Sequence, residues 1–301
     1  MSENSNKGMQ INPEEFGFGN YVRIISSFSP KYNSMLVPER FSKRVLCHVL
    51  SLYIDSNHFF TPPVFLAING NAGEGKTSQA VASCIQKGIN VIYISGTSLS
   101  GNHESDSKNK LEEVYNRACQ LKEQGHVLAI IIDDFHKSVA NEDKSVTRTI
   151  NSNLLTGYMM NLAEQTGHTQ IPIILTANDL SDVYAPLLRL GRADIFDWNP
   201  QPYEKKCIIR SILDMFVTFS SDKEFDSFFA KYSSESIAFF SQLKNRYRLN
   251  LLDNYIDNID QFDISAIASI NNKLHSSMCK ISIKELTALA KEQKLERNNR
   301  T

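Results

Sequence analysis

The stretch FLAINGNAGEGKTSQA, Phe65–Ala80, runs from an apolar segment through glycine and asparagine into Lys76 and Thr77. Gly70, Gly73, Gly75, Lys76 and Thr77 fit the pattern G-x-x-x-x-G-K-[ST],. Glycines at this spacing let successive backbone N–H groups curl round an anion with no Cβ in the way. A helix that begins near Lys76 adds the positive end of its dipole to the same point. The whole run Gly70, Asn71, Ala72, Gly73, Glu74, Gly75, Lys76, Thr77 and Ser78 is therefore read as the cradle of a nucleotide's phosphates. Lys76 would reach the β- and γ-phosphates and the Thr77 hydroxyl would hold Mg²⁺. A chance glycine turn is the plain alternative, but such a turn need not lie between a buried strand and a helix, as this one does.

Outward from the loop the pattern alternates. The apolar runs VFLAIN, NVIYIS, HVLAIIIDDF, IPIILTAN and ADIFDW read as five strands, each but the last followed by a helical segment. The helix NKLEEVYNRACQLKEQ places Leu111, Val114, Tyr115, Ala118 and Leu121 on one face,. Ahead of the loop, VPERFSKRVLCHVLSLYI repeats Phe41, Val45, Leu46, Val49 and Leu50 at helical spacing. Strands too uniformly apolar to face water, alternating with helices, predict a parallel sheet covered on both faces. After Pro200 the remaining segments all read as helices. The expected organisation is an N-terminal segment over 1–35, partly disordered, an α/β domain over 36–199, a helical lid over 200–290 and a flexible tail over 291–301.

Two further strand ends carry chemistry. AIIIDDFH ends a buried strand on Asp133 and Asp134, where a parallel sheet presents its ligands,. Asp133 would orient the Mg²⁺ shell and Asp134 would position or activate the attacking water. IPIILTAND brings Asn178 to the end of a third strand. A neutral amide there can hydrogen-bond both a γ-phosphate and a lytic water, although a strand-end asparagine is commonly a turn residue. Arg189 and Arg192 flank a glycine in YAPLLRLGRADIFDW. A guanidinium is a planar, permanently charged partner for phosphate, while arginines at a helix end are also ordinary surface residues.

Taken together these residues resemble the AAA+ ATPases, and in detail the Rubisco activase branch. TANDLSDVYAPLLRLGRADIFDWNP follows that branch's order of sensor asparagine, Tyr-Ala-Pro-Leu, arginine, Gly-Arg and a strand with an aromatic before proline. LVPERFSKRVLCHVL, SGTSLSGNHESDSKNKL, RTINSNLLTGYMMNLAE and SIAFFSQLKNRYR resemble its neighbouring segments, so the likeness spans roughly Val37 to Arg248. It implies a five-stranded P-loop core, with Asn178 as first sensor and Arg189 and Arg192 acting in trans on ATP held by a neighbour. Lys244 and Arg246 fall on the cations of the lid motif. The active form would then be a ring, with a hexamer the expected size, that remodels a protein client. Departures from the usual pattern stand out, among them the lack of an aromatic paddle in SLSGNHESD, a lack the Rubisco activase branch shares. Asp134 replaces the glutamate usual in this architecture, which predicts slow turnover, and His136 replaces a further acid. The only tryptophan, Trp198, lies inside the ATPase domain rather than in a client-engaging extension.

Composition limits the alternatives. A net charge of -1 gives no general argument for nucleic acid or an anionic membrane surface,. No apolar run reaches the length of a membrane span and the first residues are polar, so a cytoplasmic protein is expected. Cys47, Cys84, Cys119, Cys207 and Cys279 lack CxxC spacing and read as buried free thiols,. An assembly switch with slow hydrolysis is the second reading. A nucleic-acid loader of the same fold is the third, and it lacks the basic face it would need.

Overall fold

The computed structural model describes residues 18–54, 62–99, 103, 105–139, 146–165, 170–181, 183, 185–256, 263–277 and 280–298. The first 17 residues of the segment expected to be partly disordered, and Cys279, lie outside these residues. The described part forms two compact units that divide between Asn199 and Pro200.

The first unit runs through β1 (Val22–Ile25), α1 (Pro30–Asn33), α2 (Glu39–Ser51), β2 (Phe65–Asn69), α3 (Lys76–Ile85) and β3 (Asn90–Ser95). It continues with α4 (Gly96–Leu99), α5 (Asp106–Glu123), β4 (Leu128–Asp133), α6 (His136–Val139), α7 (Val146–Glu164), β5 (Ile173–Ala177) and β6 (Ala193–Asp197). The sheet order is β1-β3-β4-β5-β2-β6. The five strands foreseen from sequence pair in parallel, and β2 stands between β5 and β6. β2, β4 and β5 are buried along almost their whole length, as strands covered on both faces must be,. Leu66, Ile68, Ile92, Ile130, Ile132 and Leu175 are fully enclosed. Each such side chain stabilises the fold by roughly 1.5–3 kcal/mol relative to exposure.

Two expectations change here. β1 adds a sixth strand, antiparallel to β3, so residues 22–25 are part of the sheet. The sequence signal was weak because VRII is short and its partner lies about 70 residues away. On α2 the inward face is Phe41, Val45, His48 and Val49, whereas Leu50 is turned to solvent. The five apolar positions span more of the helix circumference than its contact face can cover. All five residues named on α5 are buried.

The second unit is helical: α8 (Pro202–Leu213), α9 (Asp222–Tyr232), α10 (Ile237–Ile256), α11 (Ile264–Ser277) and α12 (Ile283–Asn298). Its core is aromatic: Phe228, Tyr232, Phe239 and Phe240 form a ring of contacts, and Phe225 packs against Phe219 and Phe229. The flexible tail expected from residue 291 is instead the last turns of α12, which continue to Asn298. Charge pairs hold it: Lys294 and Arg297 meet Glu235 at 2.9 and 3.1 Å, and Glu296 meets Arg246. Of the described cysteines Cys84 is buried and Cys119 half-buried. Cys47 and Cys207 lie on exposed helix faces, against the expectation of burial.

Candidate functional site

The ends of β2, β4 and β5 meet the start of α3, and this is where the candidate residues converge. Gly70 has φ +152°, and a Cβ on it would lie 2.2 Å from the Trp198 carbonyl oxygen. Gly75 caps α3 in the left-handed region at φ +76°. A side chain at either position would force the loop out of shape. The Glu74 carbonyl is turned inward, accepting from Trp198 Nε1 at 2.9 Å and from Gln79 Nε2 at 3.2 Å. Asn71 and Ala72 are exposed at the loop crest, Glu74 and Lys76 are buried, and Ser78 is half-buried on the first turn of α3.

Lys76 folds back over its own loop. Its Nζ donates to the carbonyls of Gly70 at 2.6 Å and Asn71 at 3.0 Å, and to Asn178 Oδ1 at 2.9 Å. The expected phosphate cation and the strand-end amide are therefore in direct contact across 102 residues of sequence. Burial pulls the Lys76 ammonium below its ordinary range, and the charges of Asp134, Asp133 and Glu74 oppose that shift,.

Asp133 is held at both oxygens. Thr77 Oγ1 and Thr176 Oγ1 both donate to Oδ1, the latter at 2.7 Å, and the Tyr93 hydroxyl donates to Oδ2 at 2.7 Å. Burial alone would raise this carboxyl. Hydrogen bonds from Thr77, Thr176, Tyr93 and the Asp134 backbone outweigh it and hold the pKa below the usual aspartate value,. Burial, followed by the hydrogen bond to Asp133 and its charge, pushes the Tyr93 phenol up, so it remains a donor.

This oxygen set fits magnesium. A hydroxyl and a carboxylate are hard ligands, and Mg²⁺ commonly takes one or two such groups and completes its shell with water and phosphate. Among the described residues no cluster of three or more His, Cys, Asp or Glu offers an alternative metal cage.

Asp134 is built differently from its neighbour. It has a left-handed backbone, φ +51°, and its N–H donates to Thr176 Oγ1 at 3.2 Å. Its carboxylate leaves the Asp133 cluster and pairs with Lys137 Nζ at 2.5 Å. Gly96 leaves room for this bend, since a Cβ there would lie 2.4 Å from the Asp134 carbonyl oxygen. His136, two residues on, opens α6, and its buried Nδ1 has no hydrogen-bond partner among the described residues.

The two arginines also differ. Arg192 is tied to Glu164 at 2.5 Å and to the Pro186 carbonyl at 2.8 Å. Arg189 is exposed, and beside it Leu190 is 99% exposed. In the second unit, Lys244 Nζ lies 3.0 Å from Met215 Sδ and Arg246 pairs with Glu292 and Glu296.

Sequence reasoning missed Thr176, Tyr93, Gln79 and the loop-bracing role of Trp198. Thr176 carried a usable signal, a hydroxyl inside the otherwise apolar buried strand IILTA. Tyr93 and Trp198 gave none, because their partners lie 40 and 124 residues away, and Gln79, five residues from Glu74, sits on no pattern that marks it.

Residues 66–200 match the family described as ATPase family associated with various cellular activities (AAA). Among curated proteins the chain is similar to the ribulose bisphosphate carboxylase/oxygenase activase of Anabaena sp., 30% identical over 235 residues, covering 72% of this chain and 56% of the relative. The chloroplastic activase of Chlamydomonas reinhardtii is 24% identical over 289 residues, covering 89% and 69%. The activase of Nostoc sp. is 30% identical over 226 residues, covering 68% and 53%, so the chain spans about half the length of the cyanobacterial relatives it matches.

Proposed function

We propose, from the premise that residues 66–200 are an AAA domain of a Rubisco activase-like chain, that this protein hydrolyses ATP to remodel a protein partner. One observation supports this most. A phosphate-loop lysine, a magnesium-compatible Thr77–Asp133 pair and the Asn178 amide converge at one end of the sheet. A fold that only needed a glycine turn would have no use for that convergence.

In this reading Gly70 to Ser78 bind the nucleotide phosphates through backbone N–H groups and the Lys76 ammonium. Thr77 and Asp133 would hold Mg²⁺, which when bound neutralises charge on the phosphate oxygens. Asp134 orients the attacking water and takes up its proton, and to do so its carboxylate must exchange Lys137 for that water,. Asn178, already on Lys76, holds its amide toward the same water and the terminal phosphate. Arg189 and Arg192 stabilise developing charge on ATP bound by a neighbouring copy, so the working form is a ring, proposed as a hexamer. Lys244 and Arg246 are the proposed lid residues that sense the nucleotide.

The relatives' names give ribulose bisphosphate carboxylase/oxygenase as what they act on. For this chain we propose only the class of client, a folded protein in the cytoplasm. No helix among the described residues is long and apolar enough to cross a membrane.

The second reading, an ATP-driven assembly switch with slow hydrolysis, draws on the Lys137–Asp134 pair, which occupies the proposed water-activating carboxylate. Asp134→Asn separates the two. With ATP and Mg²⁺ the variant should bind nucleotide, sediment as a ring and release phosphate roughly 10²–10⁴-fold more slowly than the native chain. A remodeller then loses its effect on the client and a switch keeps it. A persistent monomer with ATP would sink the trans-arginine mechanism.

A further inference from the structure

Asp133 receives its Oδ1 contacts from Thr77 and Thr176, next to the phosphate loop, but its Oδ2 contact comes from the far side. Tyr93 stands on β3 in register with Ile131, two residues before Asp133 on the neighbouring strand. Parallel neighbours two positions apart share a face, and a side chain of tyrosine length spans that diagonal. The hydroxyl reaches Oδ2 at 2.7 Å. The ring is fixed in turn. Arg23 on β1 is the cross-strand partner of Tyr93, and its guanidinium lies 4.6 Å from the ring centroid. A row of side chains thus crosses the sheet face from the N-terminal edge strand to the carboxylate: Arg23, Tyr93, Asp133 and Thr176.

We propose that Tyr93 is a positioning residue that sets the orientation of the Asp133 carboxylate toward magnesium, with Arg23 clamping its ring from the edge strand. The inference rests on the nucleotide-binding reading given above. Without the phenol, Oδ2 keeps its charge and loses the side-chain donor that stops the carboxylate turning away from Thr77. Outer-shell partners of metal-holding carboxylates are worth about 10–100-fold in metal affinity when removed. The aromatic packing and the cation over the ring survive in Tyr93→Phe, so this change isolates the hydroxyl.

The test is calorimetric binding of AMP-PNP to the full chain across a series of MgCl₂ concentrations, with and without EDTA. Tyr93→Phe should raise the Mg²⁺ concentration for half-maximal tightening about 10–100-fold. Affinity in EDTA should remain near native, and the melting temperature should fall by no more than one lost hydrogen bond allows. Arg23→Ala should move the same midpoint in the same direction by a smaller factor, and it answers the question if Tyr93→Phe does not fold. An unchanged Mg²⁺ midpoint in the folded variants overturns the inference. Equal weakening with and without Mg²⁺ also overturns it, since that marks a purely structural residue. Failure of the native chain to bind AMP-PNP at all would instead overturn the underlying reading, so the two failures are distinguishable.

Discussion

The tips of β4 and β5 and the arginine loop before β6 belong to one unit and are built on opposite plans. At the strand tips almost every polar group is tied to another part of the chain: Lys76 to two carbonyls and Asn178, Asp133 to three hydroxyls. In the arginine loop Arg192 is tied down, whereas Arg189 and Leu190 face solvent. Preorganised groups lose little freedom when a ligand arrives, which suits phosphate binding. An exposed arginine beside a fully exposed leucine suits a surface met by another molecule, and that is the difference the proposed ring uses.

The largest effect tests the open side. Arg189→Ala should slow phosphate release about 10³–10⁵-fold with little change in melting temperature, as expected of an arginine supplied in trans. Mixing it with Asp134→Asn should restore part of the rate, because each mutant subunit supplies what its neighbour lacks. If the mixture stays inactive while Arg192→Ala alone abolishes turnover, the tied arginine is the working one and the comparison is reversed.

The next effect lies at the opposite ends of β2 and β5, where His48 is enclosed near Val64 and Ile173. Burial pushes its imidazole down to about 4; the Ile173 backbone opposes this and Arg44 reinforces it. The folded pKa lies below the ordinary value of about 6.5, so the stabilisation is complete above that pH and is lost as pH falls toward 4. The loss is about 3 kcal/mol across that window. Urea melts of the native chain and His48→Gln, run at pH 7 and 4.5, should show this dependence in the native chain only.

Thr176→Val probes the closed side. It keeps the shape but removes the hydroxyl that donates to Asp133 and accepts from the Asp134 N–H, for a loss of about 1–3 kcal/mol in unfolding free energy. No loss would mean the strand-tip network adds nothing to the fold. The smallest effect is expected in the second unit. Arg246→Ala breaks contacts to partly exposed glutamates and should change stability by no more than about 1 kcal/mol,. A larger loss of ATP turnover in that variant would then belong to nucleotide sensing.

The same contrast explains what the sequence disclosed. Buried apolar strands and the helix face of α5 are local patterns, and both appear where the spacing puts them. The glycine loop between β2 and α3 was legible because its pattern lies within eight consecutive residues. Contacts such as Tyr93 to Asp133, or Trp198 to Glu74 across 124 residues, depend on strand register and order, which no local pattern encodes. β1 escaped notice for that reason. The end of α12 escaped because LERNNRT looks like a solvated tail, while Arg297 has a fixed acidic partner in Glu235. At Asp134 the residue type was readable, but the left-handed backbone and the Lys137 pairing were not.

Trp198 gives this corner an optical handle. It is the only tryptophan of the chain, its indole N–H is bonded to the Glu74 carbonyl, and its ring is packed against Phe41 and Arg40. All of the indole emission therefore originates one hydrogen bond away from the phosphate loop. Any rearrangement that turns the Glu74 carbonyl changes the polarity at that chromophore. The unlabelled protein should report the state of its own loop by a shift in fluorescence, on the timescale of a stopped-flow mixing experiment.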